Sequence, residues 1–221
     1  MFGCGPVGQF AIISAKTLDA GRILAIDSIP SRLEMARAQG AEVIDIGAKH
    51  PIEVVRQLTG GIGVDRAIDA VGVDAERPSS GPAAKEARQQ PEQFDEEVEE
   101  IAPKVNFEAD QWSPGDAPSQ ALMWAVEALA KTGTLSIIGV YPLTMRSFPI
   151  GKAMNKNLTI NMGNCNHRKH IPMLIDMVHS TEVNPVGILT QHELLGSAID
   201  AYKAFDDRQE GWIKVKLGPV A

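Results

Sequence analysis

Cysteine is scarce in this sequence. Cys4 and Cys165 are its only two, too few for a disulfide framework and not at zinc-ribbon spacing. A basic surplus is also missing, since the net charge is −7. Binding a phosphate backbone needs a basic face, so nucleic acid is not expected as a partner. No uninterrupted apolar run is long enough to cross a bilayer, and no basic-then-apolar leader opens the chain. The expected location is therefore the cytoplasm, with no membrane partner.

The negative charge is confined to one stretch. Residues 73–118 hold 12 acidic and 4 basic side chains, against 16 and 17 in the remainder. This stretch is rich in Pro, Gln and Glu and has little apolar periodicity. It is expected to be a solvated surface insertion without chemistry, with "PEQFDEEVEEI" as a short helix.

Outside it, composition is ordinary for a globular protein, 44% hydrophobic and 22% charged over 221 residues, which suits one large domain over 1–221. Short β-branched runs alternate with amphipathic stretches, the pattern of parallel strands joined by crossover helices. "RILAID", "EVIDI", "VDRAIDAVG", "TLSIIGVY" and "NLTINMG" read as strands. "IPSRLEMARAQG", "PIEVVRQLTGG" and "SQALMWAVEALAKTG" read as helices, the last capped by Ser119 and ended by Gly133. Helices through "IPMLIDMVH" and "ELLGSAIDAYKAFDD" and a short strand "WIKVKL" complete the tail. The fold class is α/β, a Rossmann-type doubly wound parallel sheet. Only Met1 and Phe2 precede the first glycine turn, so the first strand is expected to be cut short and its neighbours left with unpaired backbone groups.

That turn is "GCGPVG", in which Gly3, Gly5 and Gly8 form G-x-G-x-x-G. The first glycine suits a tight turn, the second a close approach of backbone to a pyrophosphate, the third close packing of helix on sheet. A helix from about Pro6 would aim free N–H groups and its positive dipole end at the phosphates. Asp27 lies 19 positions beyond Gly8, at the end of the second strand. A carboxylate there accepts ribose hydroxyls and repels a 2′-phosphate, which favours NAD over NADP; the alternative is that Asp27 caps the following helix. Arg32 either reaches the ribose or adenine edge or is a solvated helix residue. Cys4, inside the turn, fits by its small size.

"FGCGPVGQFAIISAK", "AIDSIPSRLEMARAQGAEVID", "LTGGIGVDRAIDAVG", "TGTLSIIGVY" and "FPIGKAMNKNLTINMGN" occur in the order seen in medium-chain dehydrogenase/reductases. The sequence most resembles the zinc-type alcohol dehydrogenases similar to formaldehyde dehydrogenase, which also carry an insertion after the "DAVG" strand. This resemblance implies an NAD-dependent oxidoreductase in which Gly3, Gly5, Pro6, Val7 and Gly8 hold the pyrophosphate and Asp27 and Arg32 the adenosine. It places Gly139, Val140 and Tyr141 at the nicotinamide carboxamide, Met162 and Gly163 at a second backbone contact there, and Lys214 near the pyrophosphate. For Tyr141 and Met162 simple packing is the competing account. Family members carry a catalytic domain ahead of this turn, which supplies the zinc ligands, the proton relay and most of the substrate pocket. None of it is in this sequence. The chain is thus expected to be the coenzyme half of a larger enzyme, not catalytic by itself, with residues 191–221 facing the other half.

Zinc is expected in the full-length family but has no ligands here. His167 and His170, beside Cys165 in "GNCNHRKH", are too few for a site and are read as a polar loop leading into a helix. A non-catalytic nucleotide-binding or dimerisation module remains the second reading, because "NLTINMG" at a sheet edge would be a template for a homodimer. A methyltransferase is disfavoured by Gly8 and the "TGTLSIIGVY" context. A short-chain dehydrogenase fails because neither Tyr141 nor Tyr202 is followed four residues later by Lys.

Overall fold

A computed structural model describes residues 1–88, 91–102 and 114–219. In chain order the elements are α1 (Pro6–Thr17), β1 (Leu24–Asp27), α2 (Pro30–Ala38), β2 (Glu42–Asp45), α3 (Pro51–Leu58) and β3 (Val64–Asp69). Next come α4 (Gly81–Ala87), α5 (Pro91–Ile101), α6 (Gln120–Ala128), β4 (Leu129–Ile137), α7 (Ile150–Asn155) and β5 (Thr159–Met162). The tail holds α8 (His167–His179), β6 (Gln191–Leu194), α9 (Ala198–Asp206) and β7 (Val215–Gly218). Strand β1 neighbours β2, β3-β4-β5 follow in that order, and β6 neighbours β7. The β3–β4, β4–β5 and β6–β7 ladders are parallel. Counting Phe2 as the first strand of the 3-2-1-4-5-6 order, β1–β2, β3–β4 and β4–β5 are its 3-2, 4-5 and 5-6 pairings. Phe2 supplies the 1-4 pairing: its N–H donates to Ile68 C=O at 2.9 Å and its C=O accepts from Ala70 N–H at 2.9 Å. On this side the expected loss of backbone pairing is made good by a single residue.

The chain divides into two compact units, one of Met1–Gly3 with Ile44–Asn164 and one of Cys4–Val43 with Cys165–Ala221. In the first, Ile52 and Val55 of α3, Val126 of α6, and Leu129 and Leu135 of β4 are fully buried. In the second, every residue of β1 is buried, with Ile12 of α1, Leu33 and Ala36 of α2, and Ile188 and Ile213 from the tail. Solid apolar burial of this kind is what a sheet covered on both faces requires.

One short pattern recurs at the strand ends. β1, β2 and β3 each finish in Ile-Asp, and each carboxylate bends back to accept N–H groups just beyond it. Asp27 Oδ1 accepts from Ser28 and Ile29 at 2.8 and 2.9 Å. Asp45 Oδ1 accepts from Gly47 at 2.8 Å, and Asp69 Oδ1 from Val71 and Gly72 at 2.9 and 3.1 Å. A side chain that satisfies the first amides after the strand stops the ladder and turns the chain toward the next helix.

Four local expectations change, one of them in the tail, where Glu193 and Leu194 fall in β6 and the expected helix begins only at Ala198. Helix α6 ends at Ala128 rather than at Gly133. The Lys156 ammonium donates to the C=O groups of Val126, Glu127 and Leu129 at 3.0, 2.8 and 2.6 Å, satisfying carbonyls that a longer helix would have bonded. Ser119 precedes α6 but makes no cap; its hydroxyl donates to Glu97 Oε1 at 2.9 Å and its N–H to Glu97 Oε2 at 3.2 Å. Finally, α8 begins at His167, so His167 and His170 lie in its first turn rather than in a loop, with Asn166 accepting from Lys169 N–H as the cap.

The acidic insertion is more than a solvated loop. Within its described part α5 is the expected helix, and α4 is an additional one, short and alanine-rich. Ala83, Ala84, Ala87, Phe94 and Ile101 are buried, and so is the Glu97 carboxylate that holds Ser119. Arg77 donates to Asp95 and Asp116 and lies over the Phe94 ring at 5.4 Å. Helix α4 is hard to read from sequence because its apolar content is alanine. Residues 89–90 and 103–113 of the insertion lie outside the described residues.

Candidate functional site: the glycine turn and the strand ends

Within the unit that holds α1, Gly5 is extended and Pro6 takes the first helical position, where its missing N–H costs nothing. The first intrahelical bond runs from Gln9 N–H to Gly5 C=O at 2.9 Å, so the Val7 and Gly8 amides lie ahead of it. Gly8 is buried and Val7 half exposed. A Cβ added to Gly5 would lie 3.8 Å from Arg32 Nη1, so the guanidinium stands beside the turn.

Asp27, almost fully buried, ties the turn to β1. Its Oδ2 accepts from Cys4 N–H at 2.6 Å, while Oδ1 serves Ser28 and Ile29. The residue before α2 is Ile29 and makes no side-chain cap, so Asp27 braces the turn rather than capping that helix. An ionised carboxylate has about four acceptor positions; three are engaged here. Gln9, fully buried, completes the clamp by donating from Nε2 to Cys4 C=O at 2.8 Å and Arg32 C=O at 2.9 Å. Burial, and then the Asp27 charge, push the Cys4 thiol up to about 12, so it stays protonated and inert. Lys214 is exposed, with its backbone fixed by Thr190 and its C=O accepting from Thr190 N–H at 2.9 Å.

The other named residues lie in the unit built on β3, β4 and β5. Gly3 packs against Val71. Gly139 donates its N–H to Asp69 C=O at 2.9 Å, and Val140 C=O accepts from Val73 N–H at 3.1 Å. Tyr141 is partly buried and donates its hydroxyl to Asp69 Oδ2 at 2.6 Å. Met162, 70% exposed, closes β5, and Gly163 follows it, also exposed. The structure thus brings Gly139, Val140 and Tyr141 together around Asp69, and Gly5 and Arg32 together.

Sequence reasoning missed Asp69 and Gln9. Asp69 had a readable signal, since it ends its strand as Asp27 does. Gln9 had none, because a polar residue on a helix is ordinarily solvated.

Burial raises the Tyr141 phenol above its usual range, reinforced by the Asp69 charge and hydrogen bond and then by Glu97. A raised folded-state value means stability that is complete below the ordinary phenol pKa of about 10 and lost above it, as the unfolded chain ionises first. Unfolding stability should fall by about 1.4 kcal/mol more per pH unit above pH 10 in the native chain than in Tyr141→Phe. Urea titrations at pH 9, 10 and 11 would read this difference, and parallel pH dependences would disprove it.

Among the described residues no three His, Cys, Asp or Glu side chains gather as metal ligands, and no helix is long and apolar enough to cross a membrane. Cys165 and His167 are exposed and His170 is partly buried.

Parallel ladders, crossover helices and a glycine turn opening α1 place the chain in the Rossmann-type α/β class. Comparison with known proteins makes this more particular. The zinc-binding dehydrogenase family model matches residues 6–81. The chain is 28% identical over 221 residues to the zinc-type alcohol dehydrogenase-like protein AdhB of Bacillus subtilis, covering 99% of this chain and 52% of that protein. It is 30% identical over 218 residues to a zinc-type alcohol dehydrogenase-like protein of Schizosaccharomyces pombe, covering 97% and 45%. The structure of alcohol dehydrogenase TADH from Thermus sp. ATN1 superposes with a TM-score of 0.73 at 28% identity, covering 99% of this chain and 51% of that one. The chain is a partial member of the medium-chain dehydrogenase/reductase superfamily, matching its coenzyme-binding half. It spans about half the length of the curated relatives it matches.

Proposed function

We propose that this chain is the NAD(H)-binding half of a zinc-type alcohol dehydrogenase-like oxidoreductase, of the branch similar to formaldehyde dehydrogenase. The observation that carries this reading is the bond from Cys4 N–H to Asp27 Oδ2 at 2.6 Å, which locks the glycine turn to the strand-end acid. A nicotinamide dinucleotide fits these residues. Gly5 has no side chain to fill the cradle, the Val7 and Gly8 amides precede the first helical bond, and Asp27 retains an acceptor position for a ribose hydroxyl. The turn and Pro6 hold the pyrophosphate, with Lys214 adding positive charge. Asp27 and Arg32 hold the adenosine. Backbone groups of Gly139, Val140 and Tyr141, with those of Met162 and Gly163, hold the nicotinamide end.

When bound, NAD accepts a hydride from an alcohol. The residues of this chain orient it and exclude a 2′-phosphate. Among the described residues no group of side chains fits zinc, which would come with a further catalytic half, and residues 191–221 would face that half. A cytoplasmic setting belongs to the same reading. Titration calorimetry of the full chain should show NADH binding and NADPH binding about tenfold or more weaker, the scale of one desolvated charge repulsion. Folded chain that ignores NADH would falsify the reading.

The edge position of β5 favours a second role beside it. The strand is exposed at three of its four residues, and an open edge is a template for its own copy. We infer a homodimer through β5, whether or not the chain takes part in catalysis. Light scattering that gives a monomer mass at high concentration would remove it.

A further inference from the structure

We propose that Asp69 and Tyr141 form a positioning pair that sets the 139–141 turn for the nicotinamide end of the coenzyme, with the Tyr141 side chain acting through Asp69 rather than by touching the ligand. This rests on the NAD(H) reading above and goes beyond it by giving Tyr141 a defined role and adding Asp69.

Asp69 is fully buried at the end of β3. Five donors converge on it from two separate segments. Its carboxylate accepts from Val71 N–H, Gly72 N–H and the Tyr141 hydroxyl. Its C=O accepts from Ile138 N–H and Gly139 N–H, both at 2.9 Å. Between the two segments the backbones touch: a Cβ added to Gly139 would lie 2.3 Å from Gly72 N, and one added to Gly72 would lie 2.5 Å from Val140 N. The turn after β4 is therefore held by backbone on its inner side and by one side-chain bond beyond it. Val140, between those ties, is 76% exposed. That geometry presents the backbone of 139–141 outward while Asp69 fixes its angle from below.

The phenol is the one tie a point substitution can remove without touching backbone. In Tyr141→Phe the buried Asp69 Oδ2 loses its donor, and a buried carboxylate oxygen left in that state draws the chain toward another partner. Asp69→Asn behaves differently. Its oxygen still accepts from Val71 and Gly72, and its amide can donate to the Tyr141 oxygen, because a phenol both donates and accepts. The tie survives with its direction reversed.

The test compares NADH with ADP-ribose, which lacks the nicotinamide, by calorimetry on the full chain. Tyr141→Phe should weaken NADH by about tenfold or more while leaving ADP-ribose within about twofold. Asp69→Asn should hold NADH affinity within about threefold of the native chain, a rescue that loss of packing would not predict. The proposal is overturned if Tyr141→Phe binds NADH as the native chain does, or if it weakens both ligands equally. If the native chain binds neither ligand, the NAD(H) reading itself fails and the pair's role falls with it. Binding of both by the native chain with no selective loss in Tyr141→Phe sinks the pair alone.

Discussion

Gly72→Ala is expected to lose about 3–5 kcal/mol of stability, the sum of left-handed strain and overpacking against fixed atoms. Gly72 has φ +70, and an added Cβ would lie 2.5 Å from Val140 N, 2.6 Å from Val140 O and 2.9 Å from Gly139 C. All three are backbone atoms, so no rotamer change relieves the contact. Relief would require β3 and β4 to part at their ends, which breaks the bonds that converge on Asp69. Against a total stability of about 5–15 kcal/mol for a domain, this is enough to leave much of the protein unfolded near 37 °C. Gly60→Ala is the matched control. Its φ is +62, but nothing lies within 4 Å of an added Cβ, so strain alone remains, about 1–2 kcal/mol. Urea midpoints should rank native, then Gly60→Ala, then Gly72→Ala by a wide margin; equal midpoints for the two variants would show that the close approach is unimportant.

Asp27→Ala should have the second large effect, and on two readouts. It strips the acceptor from Cys4, Ser28 and Ile29 N–H together. Because Cys4 is 0% exposed, its amide cannot turn to water. The expected loss is about 2–4 kcal/mol, from one stranded buried donor and two weakened turn bonds. NADH affinity should fall at least about a hundredfold, since the turn loses its anchor as well as the ribose acceptor. Asp27→Asn should recover only part of this. Its oxygen can serve Ser28 and Ile29, but its amide then faces the Cys4 N–H, donor against donor. The contrast with Asp69→Asn follows from the partner: a phenol can reverse the bond and a peptide N–H cannot. Urea unfolding and calorimetry at a temperature where each variant is folded would check both effects. Undiminished NADH binding by Asp27→Ala would remove Asp27 from the site.

Much of the architecture is legible in the sequence because its causes are local. Pro30 and Pro51 open α2 and α3, and Gly40, Gly60 and Gly61 follow their ends with positive φ, signals carried within a few residues. The β1 run is apolar at three of four positions and is buried throughout. Where local signals misled, a distant group was responsible. Gly133 promised the end of α6, yet Lys156, 27 positions beyond Leu129, supplied it earlier. Ser119 reads as a cap by type and position, yet Glu97 takes its hydroxyl from within the insertion. The Gln191–Leu194 strand was masked by an adjacent helical pattern, and only its pairing with β7 defines it.

The sequence by itself determined the α/β alternation, the glycine turn and the spacing that puts Asp27 at the end of the second strand. Each follows from backbone preference and side-chain periodicity over a window of a few residues. Tertiary structure alone decided that Tyr141 spends its hydroxyl on Asp69, 72 positions away, and that the helix of the acidic stretch buries its Glu97 carboxylate. The reason is physical: a buried polar atom must find a partner wherever the fold brings one, and the identity of that partner is written in three dimensions rather than along the chain.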